Sequence, residues 1–180
     1  MGEHLREEII SSETVFSGRV ITLRVDTVRL PDGMISIREV IVHPGAVAMV
    51  PVLDDGRVVL VRQWRNAAGR ALLEIPAGGL APGEEPRACA ERECMEEIGY
   101  RPRTLTPLYK FFLAPGYSSE CLHIFLARDL VPERRAQDED ERIEVVNLTW
   151  DEIDACLARG ELADSKTISG LLLARRILQG

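Results

Sequence analysis

The chain has 180 residues, of which 46% are apolar and 28% charged, enough for one good-sized domain or one domain with a small extra piece. That balance excludes disorder and low-complexity repeats as the main theme, and the longest apolar stretch, about ten residues, is too short to span a membrane. The formal charge of −7 repels nucleic-acid backbones, because the basic pairs Arg134-Arg135 and Arg175-Arg176 form no stripe; phosphates remain accessible if divalent cations bridge the two negative parties.

The N-terminus starts acidic without an apolar signal segment, and Arg6 occupies the position where N-myristoylation needs Ser or Thr. The expectation is a soluble cytoplasmic protein. Cys89, Cys94, Cys121 and Cys156 form no C-x-x-C pair and are expected to be free, mostly buried thiols in a reducing compartment.

Residues 19–30, with Val20, Leu23, Val25, Val28 and Leu30, read as a strand. Pro31-Asp32-Gly33 reads as a turn, and Met34 to Val42 returns as a second strand. After His43-Pro44-Gly45, apolar runs at 46–53 and 57–64 flank Asp54-Asp55-Gly56, a second hairpin signal. A short strand at 71–75 leads into a loop forced by Pro76 to Gly83. Pro86 suits the first turn of a helix running to Ile98, with Gly99 as its C-terminal cap. Strands are expected near 105–113, 121–128 and 143–148. Thr149 and Glu152 make a capping box for a helix ending at Gly160, and Ser165 starts the last helix. The element order implies an α+β or mixed-sheet sandwich. The boundaries are a small N-terminal β-hairpin element over 1–43 and a main domain over 44–180.

The helix at 84–99 carries an internal conflict. At about 100° per residue, Glu93, Glu96 and Glu97 share one arc of about 100°. Ala90, Cys94 and Ile98 occupy the adjoining, core-facing arc. Glu93 and Glu97 are an i,i+4 pair of like charge, and carboxylates near a helix C-terminus oppose its dipole. A solvated acidic face partly neutralised by Arg92 is one explanation; a hard divalent cation is the other.

The surroundings favour the cation. Gly78, Glu84 and Arg92-Glu93-Cys94-Met95-Glu96-Glu97-Ile98-Gly99-Tyr100 stand in the register G-x5-E-x7-R-E-U-x-E-E-x-G-U, with U aliphatic. A chance match of the seven fixed positions is on the order of one in a million. The pattern resembles the box of the Nudix hydrolases, departing from it only at Cys94 and Tyr100. The resemblance implies a mixed β-sheet sandwiched between helices and hydrolysis of a nucleoside diphosphate linked to another group. It implies Mg²⁺ or Mn²⁺, as more than one ion, held by Glu93 and Glu97 with Glu96 nearby and the Ala77 carbonyl helping. Arg92 has a positioning role in that family.

Further stretches resemble the bacterial ADP-ribose pyrophosphatases within the family. They include Phe16-Ser17-Gly18-Arg19-Val20, His43-Pro44-Gly45-Ala46-Val47, Arg62-Gln63-Trp64-Arg65, Glu74-Ile75-Pro76-Ala77-Gly78 and Ala114-Pro115-Gly116, with Pro115 fifteen residues beyond Tyr100. The implied reaction converts ADP-ribose to AMP and ribose 5-phosphate in a homodimer that exchanges its N-terminal hairpins. Arg19 and Val20 of one chain would meet the substrate together with Arg38, Arg65, Ala114, Pro115, Gly116 and Glu120 of the other. Trp64 is expected to pack rather than stack on a base.

The run Gln137-Asp138-Glu139-Asp140-Glu141 reads by itself as a solvated loop. By resemblance it supplies a general base, Glu139, and a further metal ligand, Glu141, with the register open within 138–141. Tyr117 resembles a tyrosine that diadenosine polyphosphate hydrolases carry near this position, and the same box serves nucleotide sugars such as GDP-mannose. A non-catalytic nucleotide-binding module is the alternative from another class.

Overall fold

Where strands are mixed in polarity they form a surface sheet, and where they are apolar throughout they form a buried one. Both kinds occur in a computed structural model that describes residues 2–136 and 142–179. The chain divides into two compact units, Met1–Gly45 with Phe112–Cys121, and Ala46–Phe111 with Leu122–Gly180.

The first unit is an antiparallel sheet of β1 (Glu8–Ser17), β2 (Thr22–Arg29) and β3 (Ile35–Val42), in that spatial order. The expected hairpin of β2 and β3 is present. Gly33 turns it at φ 89°, and the Met34 N–H donates to the Asp32 carboxylate at 3.0 Å. A strand that the sequence does not announce precedes it. β1 is exposed along its whole length, so burial imposes no period-2 pattern on it. The Phe112–Cys121 stretch docks on β3 through its backbone: Ile41 N–H donates to the Tyr117 carbonyl at 2.8 Å and Ser119 N–H to the Ile41 carbonyl at 2.9 Å.

The second unit is built on β4 (Ala46–Pro51), every residue of which is buried. It pairs in parallel with β9 (Cys121–Pro132) from Ala46↔Leu122 to Pro51↔Ala127, and antiparallel with β7 (Ala77–Gly79). A parallel strand covered on both faces reads as an unbroken apolar run, which is why 46–53 lacks alternation. β8 (Tyr100–Phe112) completes the order β7-β4-β9-β8. A second sheet has the order β10-β5-β6, with β5 at Val58–Arg65, β6 at Arg70–Glu74 and β10 at Ile143–Leu148. The expected hairpin around Asp54-Asp55-Gly56 therefore differs from a regular one. Gly56 turns the chain at φ 85°, but the ladder closes only at the turn, with a Val52↔Val58 bridge and the Leu53 N–H on the Arg57 carbonyl at 2.9 Å, and β4 and β5 enter different sheets.

Helix α1 (Pro86–Glu93) has Pro86 in its first turn and passes straight into a π-helical turn, Cys94–Ile98, capped by Gly99 at φ 73°. Its Cys89, Ala90, Cys94 and Ile98 pack on Val47, Met49, Val59 and Val61. Helix α2 (Trp150–Ala158) carries the Thr149–Glu152 capping box as expected. Helix α3 (Ser165–Gln179) packs on β4. Gly170 brings it close: a Cβ there would stand 2.7 Å from Ile75 Cδ1 and 3.3 Å from Val50 Cγ2. All four cysteines are free, three of them buried. Trp64 does not pack as expected and is 63% exposed. Among the described residues no helix is long and apolar enough to cross a membrane.

Candidate active site

The loop after β6 and the end of α1 are joined by an unusual number of specific contacts. Arg92, on the last turn of α1, spreads its guanidinium over three acids. Nε donates to Glu84 Oε1 at 2.9 Å, Nη2 to Glu84 Oε2 at 3.0 Å, and Nη1 to Glu93 Oε1 at 2.7 Å and Glu96 Oε2 at 2.8 Å. Glu84 also accepts from the Ala81 N–H at 3.0 Å. These bonds, Arg92 foremost, hold the Glu84 carboxyl down to about 2, and the same partner raises Arg92 above its ordinary value. Arg92 thus ties the loop to the helix, the positioning role expected of it.

Glu97 is 2% exposed and Glu93 9%. Glu97 Oε2 accepts the Ala77 N–H at 3.0 Å. Gly78 lies against Glu93: a Cβ at Gly78 would sit 1.9 Å from Glu93 Oε1, so only glycine leaves the carboxylate its place. The expected site residues Ala77, Glu93, Glu96 and Glu97 are therefore brought together, Glu96 and Glu97 on a π-turn of the kind that recurs at functional sites. No three acids, histidines or cysteines among the described residues converge to cage an ion. Mg²⁺ does not require this, since it binds through one or two carboxylates while keeping waters and taking substrate phosphates. Two buried carboxylates offering hard oxygen, one in a side-chain-free cradle, fit such an ion.

Arg65 extends from the end of β5 onto Glu74, with Nε at 2.8 Å from Oε1 and Nη2 at 2.7 Å from Oε2. Glu74 is 1% exposed and also receives Lys166 Nζ. Burial pushes its pKa up, but the Arg65 hydrogen bonds and the Lys166 charge outweigh burial and leave it below the ordinary carboxylate range. In the first unit Arg38 forks onto Glu7, at 2.6 and 3.0 Å. It lines an open cleft of about 430 Å³ with Val40, Phe112, Pro115 and Gly116. Ala114 accepts the N–H groups of Tyr117 and Ser118, and the Glu120 carbonyl accepts that of Leu113. Val20 is 65% exposed, and Arg19 lies between β1 and β2. Glu139 and Glu141 lie outside the described residues. The chain just before them is anchored to the π-turn, with Glu133 N–H donating to the Gly99 carbonyl and Arg135 N–H to that of Met95, each at 3.1 Å.

Glu74, Asp164, Lys166 and Thr167 are polar anchors that sequence reasoning does not single out. A charge inside Leu72-Leu73-Glu74-Ile75 is the one available signal. A carboxylate in an otherwise apolar strand must find a partner if buried.

Gly78→Ala displaces the end of a flexible side chain and no backbone, so melting temperature should fall by only a few degrees while turnover drops about 10²-fold. Paired thermal melts and initial rates check this; full activity would mean the Glu93 position is irrelevant. Glu84, whose folded pKa is depressed, contributes stability above its unfolded value of about 4.3 and loses it as pH falls toward about 2. Stability should therefore fall over that window less steeply in Glu84→Gln than in the parent, as measured by urea unfolding between pH 5 and 2.

Residues 42–170 match the NUDIX domain family, and residues 7–41 match the nucleoside diphosphate sugar hydrolase N-terminal domain. The chain is 44% identical to an ADP-ribose pyrophosphatase of Bacillus subtilis (strain 168), covering 91% of this chain and 89% of that protein. It is 40% identical to a methanol dehydrogenase activator of Bacillus methanolicus, over 93% and 92%. A crystal structure of an ADP compounds hydrolase, 30% identical, superposes with a TM-score of 0.88 over 98% of this chain and 96% of that one. A family match over residues 42–170 and a likeness to a pyrophosphatase that runs through 91% of the sequence show that this chain belongs to the Nudix hydrolase family, as a Nudix pyrophosphatase.

Proposed function

We propose that the chain hydrolyses the diphosphate bond of ADP-ribose, giving AMP and ribose 5-phosphate. The observation that carries this reading is the likeness to the Bacillus subtilis pyrophosphatase, which extends beyond the Nudix domain over 91% of the chain. In this reading Glu93 and Glu97 hold Mg²⁺ or Mn²⁺, in more than one ion, with Glu96, the Ala77 carbonyl and Glu141 contributing. A divalent ion supplies Lewis acidity toward the diphosphate and acidifies the attacking water. Glu139 takes the proton from that water. Arg38 and Arg65, whose forks are held by Glu7 and Glu74, bring positive charge to the diphosphate, while Ala114, Pro115, Gly116 and Glu120 shape the nucleotide's surroundings.

Arg19 and Val20 come from the second chain of a homodimer. Exposed Ile9, Phe16, Val20, Ile35 and Ile37 in the first unit support an association that covers them. Four free thiols support a reducing, cytoplasmic location. A regulatory nucleotide-binding role, suggested by the relative named as an activator, has no need of an intact Glu93-Glu96-Glu97 set, which favours turnover.

The test is product analysis with Mg²⁺ and an EDTA control over ADP-ribose, GDP-mannose, ADP-glucose, diadenosine polyphosphates and NADH. ADP-ribose should lead in kcat/KM, yield AMP and lose turnover with EDTA. Another leading substrate would overturn the substrate assignment, and no turnover at all would favour the binding module. Light scattering on the same sample should give the mass of a dimer.

A further inference from the structure

The chain from Glu74 to Ala77 is held at four successive residues. The Glu74 carboxylate is gripped by Arg65 and Lys166, and the Ile75 N–H donates to Thr167 Oγ1 at 2.9 Å. The Pro76 carbonyl accepts the Met49 N–H at 2.9 Å, and the Ala77 N–H reaches Glu97. Two of these four grips come from the first turn of α3, about ninety residues downstream. That turn is itself pinned: Asp164 Oδ2 accepts the Thr167 N–H at 3.0 Å and Lys166 Nζ at 2.9 Å. Thr167 is fully buried, and Lys166 is only 12% exposed. Gly170, one turn on, lets α3 approach Ile75.

We propose that Thr167 and Lys166 are positioning residues for the metal-holding carboxylates. The proposal rests on the assignment of Glu97 as a ligand. The first turn of α3 fixes Glu74-Ile75, which fixes the direction of the Ala77 N–H two residues on, which orients Glu97. Outer-shell groups that orient ligands affect metal affinity as well as stability. The Ile75 amide, in the buried link between β6 and β7, has no solvent to turn to, so losing the Thr167 hydroxyl must move it or leave it unsatisfied. Lys166 acts in parallel, drawing Glu74 toward α3 while Asp164 balances its charge.

The test is Mn²⁺ binding to the nucleotide-free protein, followed by electron paramagnetic resonance, for the parent, Thr167→Val, Thr167→Ser and Lys166→Met. Thr167→Val keeps the shape and removes a hydroxyl that accepts from Ile75 and donates to Asp164 Oδ2 at 2.5 Å; its Mn²⁺ Kd should rise about tenfold. Thr167→Ser should restore binding, and Lys166→Met should show a smaller rise. If Thr167→Val fails to fold, Lys166→Met carries the comparison, since Arg65 still holds Glu74. An unchanged Mn²⁺ Kd in folded Thr167→Val or Lys166→Met, or no Mn²⁺ binding by the parent, would overturn the proposal. Because no nucleotide is present, a raised Kd in the variants stands even if ADP-ribose proves not to be the substrate; that failure would appear only in the substrate panel.

Discussion

Glu97→Gln should lower kcat on ADP-ribose by about 10³-fold while the protein stays folded. Glutamine keeps the volume of a side chain that is 2% exposed, and its amide oxygen can still accept the Ala77 N–H that Glu97 Oε2 takes at 3.0 Å. What it loses is a negative charge, on one of the two buried carboxylates proposed as holders of a hard cation. Structure is thereby separated from charge. Circular dichroism and melting temperature should remain close to those of the parent, and Mn²⁺ affinity and turnover should fall together. Turnover unchanged in a folded Glu97→Gln variant would sink the assignment of Glu97 as a ligand.

Glu74→Ala should destabilise the fold by about 3–5 kcal/mol, the cost of leaving buried charges without their partner. Glu74 is the shared acceptor of Arg65 and Lys166. Arg65 is 40% exposed and can turn toward water, but Lys166, at 12%, keeps Asp164 alone among its partners in the described residues. For a chain of this size the loss corresponds to a melting temperature lower by roughly 6–20 °C. Urea unfolding at pH 7 measures it directly. A change below about 1 kcal/mol would show that the network is relaxed by solvent and contributes little.

Much of the site is legible in the amino-acid sequence because it is local. Gly78, Glu84, Arg92, Glu93, Glu96 and Glu97 fall within one short stretch, so their spacing along a loop and helix already constrains them to meet. The capping box at Thr149 and the cap at Gly99 are legible for the same reason, since caps are decided by neighbours in sequence. The apolar runs at 46–53 and 57–64 likewise declare buried strands. Their assignment to two different sheets is not readable, because a turn of the Asp54-Asp55-Gly56 kind closes either a full hairpin or a single bridge. Trp64 and β1 escape sequence reasoning where burial, the usual source of pattern, is absent.

By itself, then, the sequence determined the family, the acids that share the helix end, and the need for something cationic beside them, because like charges at helical spacing repel wherever they are placed. The tertiary structure decided how that need is met. A regular helix wheel does not contain the π-turn at Cys94–Ile98, which depends on how the end of α1 packs and on the carbonyls that the 133–135 segment caps. Nor does spacing reveal that Glu93 lies against Gly78, that Glu97 takes the Ala77 N–H, or that α3 holds the strand leading to both. The first two contacts lie within the single stretch 77–97 and the third joins residues 92 apart, but in each case spacing gives at most proximity, and packing in three dimensions decides which atoms come within hydrogen-bonding reach.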